Sequence, residues 1–192
     1  IGLRDLPSAV EDAIKVTQAL TALGFESHYL PENEATKNRI VEAVTNLQLR
    51  AVRLHMARKE VFPDVLPPLI ILHIGSHGMQ GRNRDQYIIP NLRQVCDEIN
   101  GPVPLQEIYV CNSFSSLTAR FIPFQNVSIP LSELTNVLAR EIDNTVCTSI
   151  ILSDCCREKL FEKFQIATPD FQSRQLHANQ CIVYGTLDGG FA

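Results

Sequence analysis

The chain has 192 residues, 45% hydrophobic and 20% charged, with 17 basic against 21 acidic side chains and a formal net charge of -4. That length supports a single domain with a sizeable core, and no apolar run approaches the roughly 20 residues a membrane helix needs. Neither sign of charge gathers into a block, so neither nucleic acid nor a membrane surface is an expected partner.

Residues 8–23 are the first periodic segment. Val10, Ala13, Ile14, Thr17, Leu20 and Leu23 share one helical face, Ser8 and Glu11 form a capping-box pair, and Gly24 suits the helix end. Residues 25–30 read as a short strand. After the break at Pro31 and Asn33, a second helix carries Ile40, Val44, Leu47, Ala51 and Leu54 at helical spacing. Residues 69–74, preceded by Pro67-Pro68, form the continuous apolar run of a strand buried on both faces, ending at Gly75-Ser76-His77-Gly78. Strands are expected at 87–89 and 107–111, within and before a loop-rich insertion spanning about 91–130. Helical spacing resumes over 131–142 through Leu134, Val137 and Leu138. A second buried-type strand at 147–152 runs into Ser153-Asp154-Cys155-Cys156-Arg157, and a last strand covers 181–186. Such alternation specifies an α/β sandwich, helices over a mostly parallel central sheet.

Reactive groups in open α/β sheets collect at the carboxyl ends of the strands. His77 follows one buried strand between Gly75 and Gly78, which let backbone approach a substrate closely, and Cys156 follows the other with Asp154 two residues before it. A thiol beside an imidazole is the minimal arrangement for covalent acyl transfer, with the backbone N–H groups of Gly78 and Cys156 as oxyanion donors. A lone Cys or His is more often structural, and Cys96, Cys111, Cys147, Cys181, His28, His55, His73 and His177 are assigned such roles. Six cysteines with no C-x-x-C pair write neither a disulfide framework nor a zinc site into the spacing, which favours a reducing, cytoplasmic setting.

Ile71-Leu72-His73-Ile74-Gly75-Ser76-His77-Gly78 resembles the hydrophobic strand ending in His-Gly of the caspase-like cysteine peptidases. Ile150-Ile151-Leu152-Ser153-Asp154-Cys155-Cys156-Arg157 resembles their strand ending in Asp-x-Cys. The Asp-x-Cys-Arg form is closer to paracaspases and metacaspases than to true caspases, which carry Gln-Ala-Cys there. Continuation into Glu158-Lys159 is similar to the paracaspase branch, whereas many metacaspases continue with Ser-Gly. The resemblance extends to Ile1-Gly2, the segment Leu6 through Ala13, the Leu-Gly-Phe at 23–25, and Ile182-Val183-Tyr184-Gly185-Thr186, and is weakest over 91–130.

The resemblance implies a caspase-like three-layer α/β/α domain over 1–192 and a Cys156/His77 dyad acting through an acyl-enzyme. It selects Cys156 over Cys155 by the spacing of two from Asp154, and it implies a pocket lined by Asp12 and Asp154 that takes Arg in preference to Lys before the cut bond. The plainer roles for these acids are a first-turn helix residue and a strand-end cap. Two departures stand out: Phe191 occupies the place of an acidic residue in paracaspases, and Lys163 stands where metacaspases often carry a calcium-binding acid, so no metal or other cofactor is expected. Protein or peptide substrates are the implied partners, with a homodimer or a recruiting adaptor as the family's modes of activation. A catalytically silent scaffold acting by partner binding is the alternative; a nucleotide-binding domain lacks its Gly-rich loop after the first strand. No secretory signal is read at the start, and the abrupt Ile1-Gly2-Leu3 opening and the close after Asp188-Gly189-Gly190 read as a domain truncated at both ends.

Overall fold

The computed structural model describes residues 7–80, 86–89, 128–155 and 176–185. In chain order these form helix α1 (Pro7–Ala22), a single 3-10 turn (Glu32–Glu34), helix α2 (Lys37–Val61), strands β1 (Leu69–Gln80), β2 (Gln86–Ile89) and β3 (Ile129–Pro130), helix α3 (Leu131–Leu138), and strands β4 (Thr148–Cys155) and β5 (Gln180–Tyr184). The expected strand at 107–111, nearly all of the 91–130 segment, Cys96, Cys111, Cys156, Lys163 and Phe191 lie outside the described residues.

The strands form one mixed sheet in the order β3-β2-β1-β4-β5. Its centre is parallel: β1 pairs with β4 from Leu69↔Thr148 to Ser76↔Cys155, and β4 with β5 from Ser149↔Gln180 to Ser153↔Tyr184. Its other half is antiparallel, with His77↔Ile89 opening the β1–β2 ladder and Ile88↔Ile129 joining β3. The chain is thus a mixed α/β fold whose central strands are parallel, as the alternating pattern required.

The core lies between α2, α3 and one face of this sheet. Val44 and Val52 of α2 meet Leu131, Leu134, Val137 and Leu138 of α3 and the inward residues Ile70, Ile88, Ile129, Ile151 and Cys155. Along β4 the burial alternates, with Ser149, Ile151, Ser153 and Cys155 buried while Thr148 and Asp154 are exposed. Helix α1 meets β1 elsewhere: a Cβ placed on Gly75 would come within 3.3 Å of the Ala9 Cβ, so two small residues set a close approach.

Several expectations are corrected. Residues 25–30 form no strand; they join no ladder, and Glu26 pairs with Arg50 of α2 at 2.7 Å with both side chains about half exposed. Ile14 of α1 and Leu23 just past its end are exposed at 40% and 74%, and Leu54 of α2 at 47%. Gln48 is buried where pattern alone favours an apolar residue, because its amide donates to the carbonyls of Leu138 (3.3 Å) and Arg140 (2.8 Å) at the end of α3. Helix α3 stops at Leu138 rather than 142. Beyond it Asp143 and Asn144, both with positive φ, make a two-residue hairpin in which Ile142 and Thr145 exchange backbone hydrogen bonds. Cys181 is exposed rather than packed inside. The end of α1 is as expected: Gly24 at φ +87 closes a Schellman motif, its N–H on Thr21 O and that of Phe25 on Leu20 O. Its start is one residue earlier, with Pro7 at the first helical position.

Candidate active site

Two strands expected to end near residues 74 and 152 run further, and the reason places the site. β1 continues to Gln80 because β2 takes over as its neighbour where β4 stops: the last parallel pair is Ser76↔Cys155, and the first antiparallel pair is His77↔Ile89. His77 is therefore a strand residue, at the point where the pairing of β1 changes from parallel to antiparallel. A ladder holds its backbone, so its side chain leaves the sheet in a fixed direction. Gly78, the proposed oxyanion donor, is buried directly after it.

Strand alternation puts His73, Gly75 and His77 on the face of β1 opposite the core-facing Ile70, Leu72 and Ile74. Asp154 is the Cα partner of Gly75 and shares that face, one strand spacing away, so His77 and Asp154 are diagonal neighbours with Cα atoms roughly 8 Å apart. Gly75 presents no side chain between them, and its contact with Ala9 lays the first turns of α1 over this spot. Asp12 stands one turn after Ala9. It is half exposed and within 3.6 Å of Lys15 on its own helix, a solvent-screened contact.

Both acids act on His73. Burial pushes its imidazole below the ordinary value, and the carboxylates of Asp154 first and Asp12 second pull it back up. His73 was expected to be purely structural; the fold puts it within electrostatic reach of both expected pocket acids. The carboxylate of Asp154 lies against Gly185, where an added Cβ would come within 2.6 Å of Asp154 Oδ1 and push it aside. The N–H of Gly185 donates to Ser153 O at 2.9 Å, which holds the residue after β5 against β4.

On the core side, the residues beneath the site are polar and tied together. Cys155 is fully buried in the hydrophobic cluster with its thiol 3.5 Å from Ile74 O. Ser76 donates to Ile89 O, and the amide of Gln86 bridges Ser153 and the carbonyl of Cys155. Neither Gln86 nor Gly185 was legible as a site residue: one is a polar residue opening an apolar strand, the other a glycine in a turn.

Of the expected site residues, the fold brings His77, Gly78 and Asp154 to one end of the β1–β4 pair, with Asp12 on the overlying α1 close enough to His73 to act on it electrostatically. Among the described residues no group of three or more His, Cys, Asp and Glu side chains is placed to hold a metal ion, and no helix is long and apolar enough to cross a membrane. No protein-family profile and no curated protein matches this chain.

Proposed function

We propose that the chain is a caspase-like cysteine endopeptidase that cuts after basic residues, Arg in preference to Lys, through Cys156 and His77. In this reading the Cys156 thiol gives its proton to His77, and the thiolate attacks the carbonyl carbon of the bond to be cut. The backbone N–H groups of Gly78 and Cys156 hold the oxyanion, the His77 imidazolium protonates the leaving amine, and water then hydrolyses the acyl-enzyme. Asp12 and Asp154 pair with the guanidinium of the residue before the cut, whose planar fork can meet two carboxylates where the ammonium of Lys offers one compact charge. The three-layer arrangement of the family, a cytoplasmic setting, protein or peptide substrates, and activation through a homodimer or an adaptor belong to the same proposal.

The observation that carries it is the β1–β4 register. The residue before His77 and the residue before Cys156 are Cα partners, Ser76↔Cys155, and the next pair inward is Gly75↔Asp154, with Asp12 and Asp154 both acting on His73. The test is to label the chain with a peptidyl electrophile ending in Arg and map the modified residue by mass. An adduct on Cys156 is expected, slowed about a hundredfold or more in His77→Ala. Adduct at another cysteine, or no adduct in a chain that self-associates or binds an adaptor, overturns the peptidase reading, the second result in favour of the silent scaffold.

A further inference from the structure

Gln86 is fully buried, and so are Ser153 and Cys155, its hydrogen-bond partners on β4. Taking a primary amide out of water is unfavourable unless its groups are satisfied, and a Leu or Met would fill similar space without that cost. Here the Ser153 hydroxyl donates to Gln86 Oε1 at 2.6 Å, and Gln86 Nε2 donates to the Cys155 carbonyl at 3.1 Å. One side chain therefore grips β4 at two inward-facing residues, having crossed beneath β1 from β2 on the other side.

Its position gives the grip a consequence. β5 accompanies β4 only as far as Ser153↔Tyr184, so among the described residues Asp154 and Cys155 have a strand neighbour on the β1 side alone. The Gln86 amide reaches the carbonyl at the far end of that stretch. The strand it comes from also holds Ile89 opposite His77, and Ile89 O accepts the hydroxyl of Ser76, the residue facing Cys155. From these contacts we infer that Gln86 is a positioning residue: it locks the carbonyl that precedes Cys156 to the strand that sets the backbone of His77. The inference rests on the peptidase reading for what is being positioned. In a two-group mechanism, a displacement of about 1 Å between nucleophile and base is enough to cost up to a hundredfold in rate, so a buried clamp across both strands acts on the chemical step.

Gln48 provides the control. It too is a buried glutamine whose amide donates to backbone carbonyls, but those are Leu138 O and Arg140 O at the end of α3. Full-length wild type, Gln86→Met, Ser153→Ala and Gln48→Met are compared by Tm, by the rate of Cys156 alkylation with iodoacetamide from pH 5 to 9, and by kcat and KM on an Arg-ended peptide. Gln86→Met and Gln48→Met are expected to lower Tm by similar amounts. Only Gln86→Met and Ser153→Ala should lower kcat, by about tenfold and threefold with KM within about twofold, and distort the pH profile of alkylation. Gln86→Met with the kcat and profile of Gln48→Met overturns the inference. If Gln86→Met does not fold, Ser153→Ala decides alone, and an unchanged kcat there overturns it equally. A wild type in which the Arg electrophile leaves Cys156 unmodified brings down the peptidase reading itself, whereas a labelled wild type with unaffected variants brings down only the role of Gln86.

Discussion

Gly185→Ala would move one proposed pocket carboxylate without removing its charge. The added Cβ lies 2.6 Å from Asp154 Oδ1, 3.4 Å from its Cγ and 3.5 Å from its Cα, so only the oxygen is truly crowded. Ordinary contact begins near 3.4 Å, and the oxygen must retreat by roughly 0.8 Å. It has room to do so, because Asp154 is exposed and the oxygen is the far end of a short side chain. An off-rotamer Asp costs about 0.5–1.5 kcal/mol. Gly185 is not among the positive-φ residues, so Ala adopts its backbone and recovers about 0.4–1 kcal/mol by restricting the unfolded chain. The two terms nearly cancel, and Tm should shift by only a few degrees. Substrate binding has no such compensation. Losing one charge-assisted contact to the substrate guanidinium removes about 1.5–3 kcal/mol, or about tenfold to more than a hundredfold in kcat/KM on Arg peptides. Lys peptides, which do not engage both acids at once, should lose less, so the Arg-to-Lys ratio narrows. The assay is kcat/KM on matched Arg, Lys and Asp peptides for wild type, Gly185→Ala and Asp154→Asn, with thermal unfolding alongside. An Arg value within about threefold of wild type at unchanged Tm would refute the assignment of Asp154 to the pocket.

Two further outcomes follow from the same geometry. Cys155→Ala should cost on the order of 1 kcal/mol of stability by emptying a fully buried position, while kcat stays near wild type and Cys156→Ala abolishes turnover; equal loss of kcat in folded forms of both would contradict the choice of nucleophile. His73 is held below its ordinary value chiefly by burial, so the unfolded chain takes up its proton near pH 6.5 before the folded chain does. Its contribution to stability is full above that pH and is lost as the pH falls toward the lower folded value. Urea midpoints measured from pH 8 to 5.5 should drop more steeply for wild type than for His73→Gln, and parallel curves would show that His73 titrates alike in both states.

Local rules were enough wherever one short stretch carried its own instructions. Gly24 ended α1, and the apolar runs made the strands of the parallel centre. Residues 25–30 have a strand's composition, yet whether a strand forms depends on a partner, and Glu26 found Arg50 instead. Leu54 satisfied the helical period but faces solvent, while Gln48 lies inside because the open carbonyls at the end of α3 happen to meet it. The site shows the same division. His77 and Asp154 were legible as residue types at strand ends, but hydrogen-bonded ladders between distant segments decide where a strand ends. β2 carried β1 through His77 to Gln80, β4 reached Cys155, and the register set Gly75 beside Asp154. Nothing in the sequence marked Gln86, and Gly185 was legible only as a glycine after the last strand. Their roles consist of a buried amide reaching a carbonyl 69 residues away and a missing Cβ beside a carboxylate 31 positions earlier, and such contacts exist only once the strands have paired.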